Sequence, residues 1–184
     1  VSEGIVMEEV SAEAAAMATG AGAGGAEGAT MKVVAAVDAS EESLHALSWA
    51  LDNVVRPHPG ASVVVLHVQH HADHFAYPGL QYVPPTAVDS VRKTHEENSR
   101  RVVSVALDLC RQKQASATAA VVEGDAKEAI CRAVEDMHAD LLVLGSRGLG
   151  MIKRALLGSV SDYLAHHACC PVLIVKPPNK AHHK

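Results

Sequence analysis

The sequence predicts a doubly wound α/β domain that is built on a five-stranded parallel sheet. Five short apolar runs, rich in Val, Leu and Ile, alternate along the chain with four segments whose apolar residues recur at helical spacing. Strands that alternate with helices favour a parallel sheet with crossover helices on both faces. Hydrophobic residues make up 48% of the chain, but only five residues are aromatic, so we expect an aliphatic core.

A turn signal and a capping residue mark the first strand and helix. MKVVAAVD is a short β-branched run of the kind that is buried on both faces of a parallel sheet. Ser40 can cap the helix that follows, and Glu41 and Glu42 then lie at the positive end of the helix dipole. We expect this helix to end before Pro57.

The remaining elements continue the alternation. SVVVLHV is the second predicted strand, and a long helix runs to about Gln114 after a polar loop that carries His and Pro residues. ATAAVVE is the third strand, after which Asp125 and Glu128 form a variant of the capping box. DLLVLG is the fourth strand, a helix ending near His167 follows, and PVLIVK is the fifth strand.

The first 30 residues differ in composition from the rest of the chain. They are mostly Ala, Gly, Met and Glu, with five acidic residues and no Lys or Arg. We expect residues 1–30 to form a disordered extension, followed by one domain at 31–178 and a short polar tail at 179–184. From position 31 onward, 16 acidic and 16 basic residues balance, so we expect neither a nucleic-acid nor a membrane partner.

The cysteines indicate the compartment. Cys110, Cys131, Cys169 and Cys170 contain no CxxC pair and no disulfide framework. We therefore predict reduced thiols and a cytoplasmic protein, with entry into the nucleus left open.

A cluster of histidines offers a rival site for a transition metal. Its members are His67, His70, His71 and His74. Prolines flank this segment and no nearby Cys completes a ligand set, so exposed loop histidines are the favoured interpretation and no metal site is predicted.

The stretch GSRGLGMIKRALLGS, residues 145–159, follows the fourth strand and contains four glycines. It is not a P-loop, because Met151 and Ile152 stand where Lys and Ser/Thr are required. It is not a dinucleotide fingerprint, because Lys153 takes the place of the third glycine. Its spacing, Gly-x2-Gly-x9-Gly-Ser, resembles the signature of the nucleotide-binding branch of the universal stress protein family.

The resemblance covers residues 32–177 and is that of a plant-like, single-domain member. VVAAVDASEES resembles the first strand and turn of the family, VVEGDAKEAI its third strand and next helix, and DLLVLGSRGLGMIKRALLGSVSDYLAHHACCPVLIVK its C-terminal segment. Ala39 is a small departure, because the family often has Gly there. The resemblance implies a Rossmann-like sandwich of the adenine nucleotide alpha hydrolase type, with strand order 3-2-1-4-5.

The resemblance also implies a ligand, ATP or AMP, with or without Mg²⁺, where strands one and four lie side by side. Glycines let backbone N–H groups turn toward phosphates, and a helix N-terminus adds further donors. By analogy, Asp38 contacts the ribose or the adenine edge, and the backbone near Val37 and Val68 frames the base. Arg147 could reach a phosphate. The predicted nucleotide-binding residues are Val37, Asp38, Ala39, Val68, Gly145, Arg147, Gly148, Gly158, Ser159, Val160 and Ser161.

Simpler interpretations of the same residues stay open. Asp38 can merely cap the first turn, as Asp often does after a strand. Ser159 and Asp162 have capping-box spacing, so Ser159 can serve only its own helix. Gly145 can be a tight turn and nothing more.

The function predicted from the sequence is an adenine-nucleotide-binding stress-response or signalling module whose occupancy biases contacts with protein partners. No nucleophile–base pair is visible, so we predict no catalytic residue and at most weak ATP hydrolysis. PVLIVK would be an exposed apolar edge in a monomer, and family members pair this strand, so we predict a homodimer. The alternatives are a dimeric interaction protein without nucleotide and a slow ATPase.

Overall fold

The computed structural model of the chain describes residues 6–10, 31–69, 85–147 and 157–177. Six of its strands form one sheet. The strands are β1 (Val6–Val10), β2 (Lys32–Ala36), β3 (Ser62–Gln69), β4 (Ala117–Glu123), β5 (Leu141–Gly145) and β6 (Val172–Val175). The helices are α1 (Glu41–Ala50), α2 (Pro85–Gln112), α3 (Ala126–Asp136) and α4 (Ser159–His167).

The sheet has the order β1-β4-β3-β2-β5-β6. The strands β2 to β6 pair in parallel with one another, which confirms the predicted five-stranded parallel sheet and its order 3-2-1-4-5. After β2 the chain adds β3 and β4 on one side of that strand, and it then adds β5 and β6 on the other side. The strand order therefore reverses between β2 and β5. An open parallel sheet offers a crevice for a ligand at that point, beyond the carboxyl ends of the strands.

The strand β1 corrects the prediction that residues 1–30 are disordered throughout. Val6–Val10 pairs antiparallel with β4, from Val6 opposite Val121 to Val10 opposite Ala117. Averaged over 30 residues, the Ala and Gly content hides the short run VMEEV, which begins and ends with a β-branched residue. In this position β1 pairs with the backbone edge that β4 would otherwise expose.

Helices cover both faces of the sheet, and the two core clusters that they form are aliphatic. On one face α1 and α2 pack on alternate strand residues, with Leu47 and Ala106 at most 1% exposed. On the other face α3 and α4 pack on the intervening residues, with Val134 and Leu164 fully buried. This arrangement confirms the predicted α/β sandwich.

The ends of α1 follow the capping and stop signals of the sequence. Ser40 is the N-cap, and its Oγ accepts a 3.2 Å hydrogen bond from the backbone N–H of Ser43, as predicted. The helix continues as a π-helical turn over Leu51–Val55 and ends there, ahead of Pro57. The cap fixes the start of α1 beside the carboxyl end of β2, where it borders the crevice.

None of the helices in the described part of the chain is both long enough and apolar enough to cross a membrane.

Candidate functional site

The crevice lies between the carboxyl ends of β2 and β5. The paired register ends with Ala35 opposite Val143, so two residues further along Val37 comes level with Gly145. On its other side β2 pairs with β3, and the Val37 N–H donates to the Leu66 carbonyl at 2.8 Å. The ends of β3 and β5 therefore each lie about 5 Å from the end of β2, on its two sides.

Asp38 follows β2 and forms a turn with the cap of α1. Its Oδ1 accepts a hydrogen bond from the Ser40 backbone N–H at 3.0 Å and a second one from the Ser40 hydroxyl. The Ser43 hydroxyl donates to the Asp38 carbonyl at 2.9 Å. The interpretation of Asp38 as a turn residue is therefore correct, and the half-buried carboxylate is held in place at the mouth of the crevice.

His67 supports the same turn from β3, a role that sequence reasoning missed. His67 is 7% exposed, and its Nδ1 donates to the Val37 carbonyl at 2.9 Å. The carbonyl can only accept, so Nδ1 carries the proton. The favoured interpretation of the histidine cluster as exposed loop residues is therefore wrong for His67, which is buried within β3. Its place in the predicted strand SVVVLHV was the signal that the sequence offered.

Gly145 closes the floor of the crevice under the first turn of α1. A Cβ on this residue would lie 3.0 Å from the carbonyl carbon and oxygen of Glu42 and 3.2 Å from the Arg147 carbonyl oxygen. Contacts of that length are tighter than nearly all real Cβ contacts, so α1 packs on β5 so closely that any larger residue would push the Glu42 backbone away by a few tenths of an ångström. Gly145 is thus a site of close backbone approach and not only a turn.

The N-terminus of α4 faces the end of β5 and has no side-chain cap. Gly158 is the N-cap, its N–H donates to the Ser146 carbonyl at 2.8 Å, and no side chain bonds the first turn. Ser159 is therefore the first helical residue, and the capping-box interpretation of Ser159 is wrong. The N–H groups of the first turn have no acceptor within the helix, which makes this end a potential anion site.

Ser161 and Asp162 determine where an anion can bind at the N-terminus of α4. The buried Ser161 hydroxyl donates to the Gly145 carbonyl at 2.8 Å, so its proton ties α4 to β5. The exposed Asp162 places a negative charge in the same turn. A bound anion would therefore sit on the Ser159 side of the turn, away from this carboxylate.

Arg147 carries the polar group at this site that most needs a partner. Its Nε is the only buried side-chain nitrogen or oxygen in the described part of the chain without a hydrogen bond. Burying a charged donor without an acceptor is costly, and guanidinium pairs well with phosphate or carboxylate. Arg147 therefore offers an unused N–H donor of the kind that binds an anion.

The other predicted site residues are distributed around this crevice. Ala39 is exposed in the turn after β2, and Val68 lies near the end of β3. Val160 is half-buried and packs on the α3–α4 core cluster. Gly148 lies outside the described residues, as do the predicted loop histidines 70, 71 and 74. No group of three or more metal-ligating side chains occurs within the described ranges.

Sequence comparison gives one family and several relatives. The profile described as the Universal stress protein family matches residues 30–176. The chain is 36% identical over 168 residues to Universal stress protein PHOS34 of Arabidopsis thaliana, which covers 83% of this chain and 64% of that protein. It is 30% identical to a universal stress protein A-like protein of the same plant, covering 71% of this chain and 76% of the relative. The chain thus spans less than two thirds of PHOS34.

Solved structures of the same family share the fold. Universal stress protein UspA from Lactobacillus plantarum superposes with a TM-score of 0.65 at 18% identity, covering 79% of this chain and 97% of that one. An Arabidopsis thaliana family member with AMP bound gives 0.59 at 25% identity, covering 81% and 93%. A universal stress protein in complex with cAMP gives 0.58 at 26% identity, covering 80% and 98%. With its fold and the profile match over residues 30–176, the chain belongs to the universal stress protein family.

Proposed function

We propose that this protein binds an adenine nucleotide, AMP or ATP, in the crevice between β2 and β5 and acts as a nucleotide-responsive module in stress signalling. The proposal rests on two observations: Arg147 Nε is buried without a partner, and the residue before it, Ser146, accepts a hydrogen bond from Gly158 at the uncapped N-terminus of α4. Both groups favour an anion, and phosphate is the anion that a glycine-bordered helix terminus holds best. The ligand's phosphates would lie over Ser159, and its base toward β3.

Two family members support the choice of an adenine nucleotide. AMP is bound in the Arabidopsis thaliana structure and cAMP in the other, and both proteins are at least 25% identical to this chain. We propose the same ligand class here, with the Asp38 carboxylate accepting from the ribose hydroxyls. One Asp38 oxygen already accepts from Ser40, so the turn orients the carboxylate before the nucleotide arrives.

Amide NMR titration of the nucleotide-free protein with AMP tests the location. We expect the largest shifts at Ser146, Arg147 and Ser159, with a smaller set at Asp38. Adenosine serves as the control ligand, because without a phosphate it should leave the Ser159 amide unmoved and bind more weakly. Shifts confined to residues outside the crevice, or equal binding of both ligands, would refute the placement of the phosphates.

A matched pair of variants separates charge from packing. Arg147→Met keeps much of the apolar stem but removes the guanidinium, and Arg147→Lys keeps the charge without the planar pair of donors. The proposal predicts that the methionine variant loses AMP affinity by about tenfold or more, the range of one charged hydrogen bond. The lysine variant should fall between it and the wild type.

We further propose that the protein pairs as a homodimer through β6. This strand is at the end of the sheet, and the carbonyls of Pro171 and Val175 accept from β5, so the backbone groups of Val172 and Ile174 point to the open edge. Light scattering after size exclusion should give twice the chain mass. Val172→Pro, at the first strand position where proline is tolerated, should shift the protein toward monomer. A wild type that is monomeric at micromolar concentration would contradict this pairing.

A further inference from the structure

A groove of about 810 Å³ runs between α1 and α2, on the face of the sheet that these helices cover. Its apolar residues include Leu44 from α1 and Val105 and Leu109 from α2. Val105 is 46% exposed, one of the most exposed large apolar residues among those described. We call this feature the α1–α2 groove. An exposed apolar strip of this kind between two helices is a surface that another segment can cover.

The charged residues that line the α1–α2 groove are acidic. They are Glu41 and Glu42 in the first turn of α1 and Asp108 in α2, which we call the groove acids. Asp108 also pairs with the exposed Arg111 on its own helix. No Lys or Arg is among the described lining residues, where His45 is the only basic side chain. The groove therefore suits an occupant that carries positive charge and some apolar surface.

The chain itself delivers such a segment to the rim. Pro177, the last described residue, lines the groove, and PNKAHHK follows it directly as residues 178–184. This segment contains Lys180 and Lys184 and no acidic residue. We propose that residues 178–184 dock in the α1–α2 groove, with the two lysines against the groove acids.

The other segments outside the described ranges fit this groove less well. Residues 1–5 carry one glutamate, residues 11–30 carry two, and neither segment has a Lys or Arg, so the groove acids would repel both. Residues 70–84 carry one Asp and no Lys or Arg. Residues 148–156 contain Lys153 and Arg154, but the described chain on either side of them, up to Arg147 and from residue 157 on, borders the crevice, whereas Pro177, which precedes residues 178–184, lines the groove itself.

Tethering makes weak contacts sufficient for docking. Each exposed ion pair contributes little by itself and is screened by salt. At about 15 Å, the end-to-end distance of a generic seven-residue chain keeps lysines that are tethered at Pro177 at millimolar effective concentration near the groove acids. Docking covers the apolar strip beside Val105. It also sets a basic segment against the first turn of α1, whose Glu42 carbonyl packs on Gly145.

Zero-length carbodiimide cross-linking of the full chain tests the docking directly and requires no nucleotide. An equal mixture of unlabelled and ¹⁵N-labelled protein is treated at low salt, and cross-linked peptides are identified by mass spectrometry. We expect Lys180 or Lys184 joined to Glu41, Glu42 or Asp108, with both peptides of each pair from the same isotope. Exposed acids of α3 on the opposite face, Glu135 and Asp136, are the internal control.

The outcomes separate the proposal from its rivals. The groove cross-links should exceed those to the control acids several-fold and fall at about 1 M salt, where the Debye length is about 3 Å. Mixed-isotope pairs would mean that the segment docks on a second copy and would overturn the proposal. Groove acids joined to Lys153, or lysines that join all exposed acids equally, would overturn it as well.

A second readout removes the dependence on cross-linking chemistry. Methyl NMR signals of Leu44, Val105 and Leu109 should shift in a variant that combines Lys180→Glu and Lys184→Glu. The matched control Asn179→Ser, which keeps the charge, should leave them in place. Identical methyl spectra for all three proteins would show that the segment does not occupy the groove.

Discussion

Replacing Gly145 with alanine tests whether the crevice depends on close backbone approach. The structure gives Gly145 no positive φ, so alanine meets no conformational strain there, and the whole effect comes from contact. The new methyl carbon would lie 3.0 Å from the Glu42 carbonyl group and 3.2 Å from the Arg147 carbonyl oxygen. These atoms are backbone, so α1 or the end of β5 must move to accommodate it.

The magnitude follows from two opposing effects. Overpacking a closely packed site costs about 1–3 kcal/mol. Against this, alanine raises the free energy of unfolding by about 0.4–1 kcal/mol, because it lowers the conformational entropy of the unfolded chain. We therefore expect Gly145→Ala to lose about 1–2 kcal/mol of unfolding free energy, which corresponds to a fall in Tm of about 2–8 °C for a chain of this size.

Thermal and urea unfolding measure this loss, and AMP titration shows whether the crevice moves. Gly60→Ala is the matched control: a Cβ there has nothing within 4 Å, but φ is +99°, so alanine is strained without any clash. We expect Gly60→Ala to lower the free energy of unfolding by about 1–2 kcal/mol and to leave AMP affinity unchanged. Gly145→Ala should lower both the free energy of unfolding and the affinity for AMP. If Gly145→Ala is as stable as the wild type or more stable, the close packing of α1 on β5 is refuted.

Three further changes follow from single contacts. Ser161→Ala leaves the Gly145 carbonyl without its buried donor and should cost about 1–3 kcal/mol in urea unfolding; a neutral result would contradict that tie. Ser40→Ala removes the cap of α1 and should cost about 1 kcal/mol, and Ser40→Asn, which can cap, should restore most of it. Burial raises the pKa of the Cys110 thiol from 9.0 to about 11. The contribution of the protonated thiol to the free energy of unfolding is therefore complete below pH 9 and is lost as pH rises through about 11. The free energy of unfolding should then fall by up to about 2–3 kcal/mol, and Cys110→Ala should lack this component; parallel pH profiles for both proteins would disprove it.

The sequence predicted most of the fold because its signals are local and strong. Alternating apolar runs and helical spacing gave the order of strands and helices, and Ser40 and Asp125 cap helices where their positions indicated. The strand order came from resemblance and not from periodicity, because neighbouring strands in a parallel sheet are far apart in sequence. The strand β1 escaped prediction because five residues in a biased segment leave little periodic signal.

The candidate site was predicted in outline but not in its contacts. The glycine spacing drew attention to Gly145 and Gly158, yet the spacing cannot show that Gly145 packs against the backbone of Glu42. The missing partner of Arg147 Nε is a matter of burial, which depends on the surrounding fold. His67 lies in a predicted strand but was grouped with the loop histidines that follow it, and the sequence could not show its hydrogen bond to the Val37 carbonyl.

Calorimetric titration of nucleotide-free protein with AMP and with ATP tests the central claim most directly. We predict saturable binding of one nucleotide per chain for at least one of the two ligands, weakened in Arg147→Met and retained in Gly60→Ala. Absence of saturable binding of either nucleotide, with equilibrium dialysis also negative, would contradict the account.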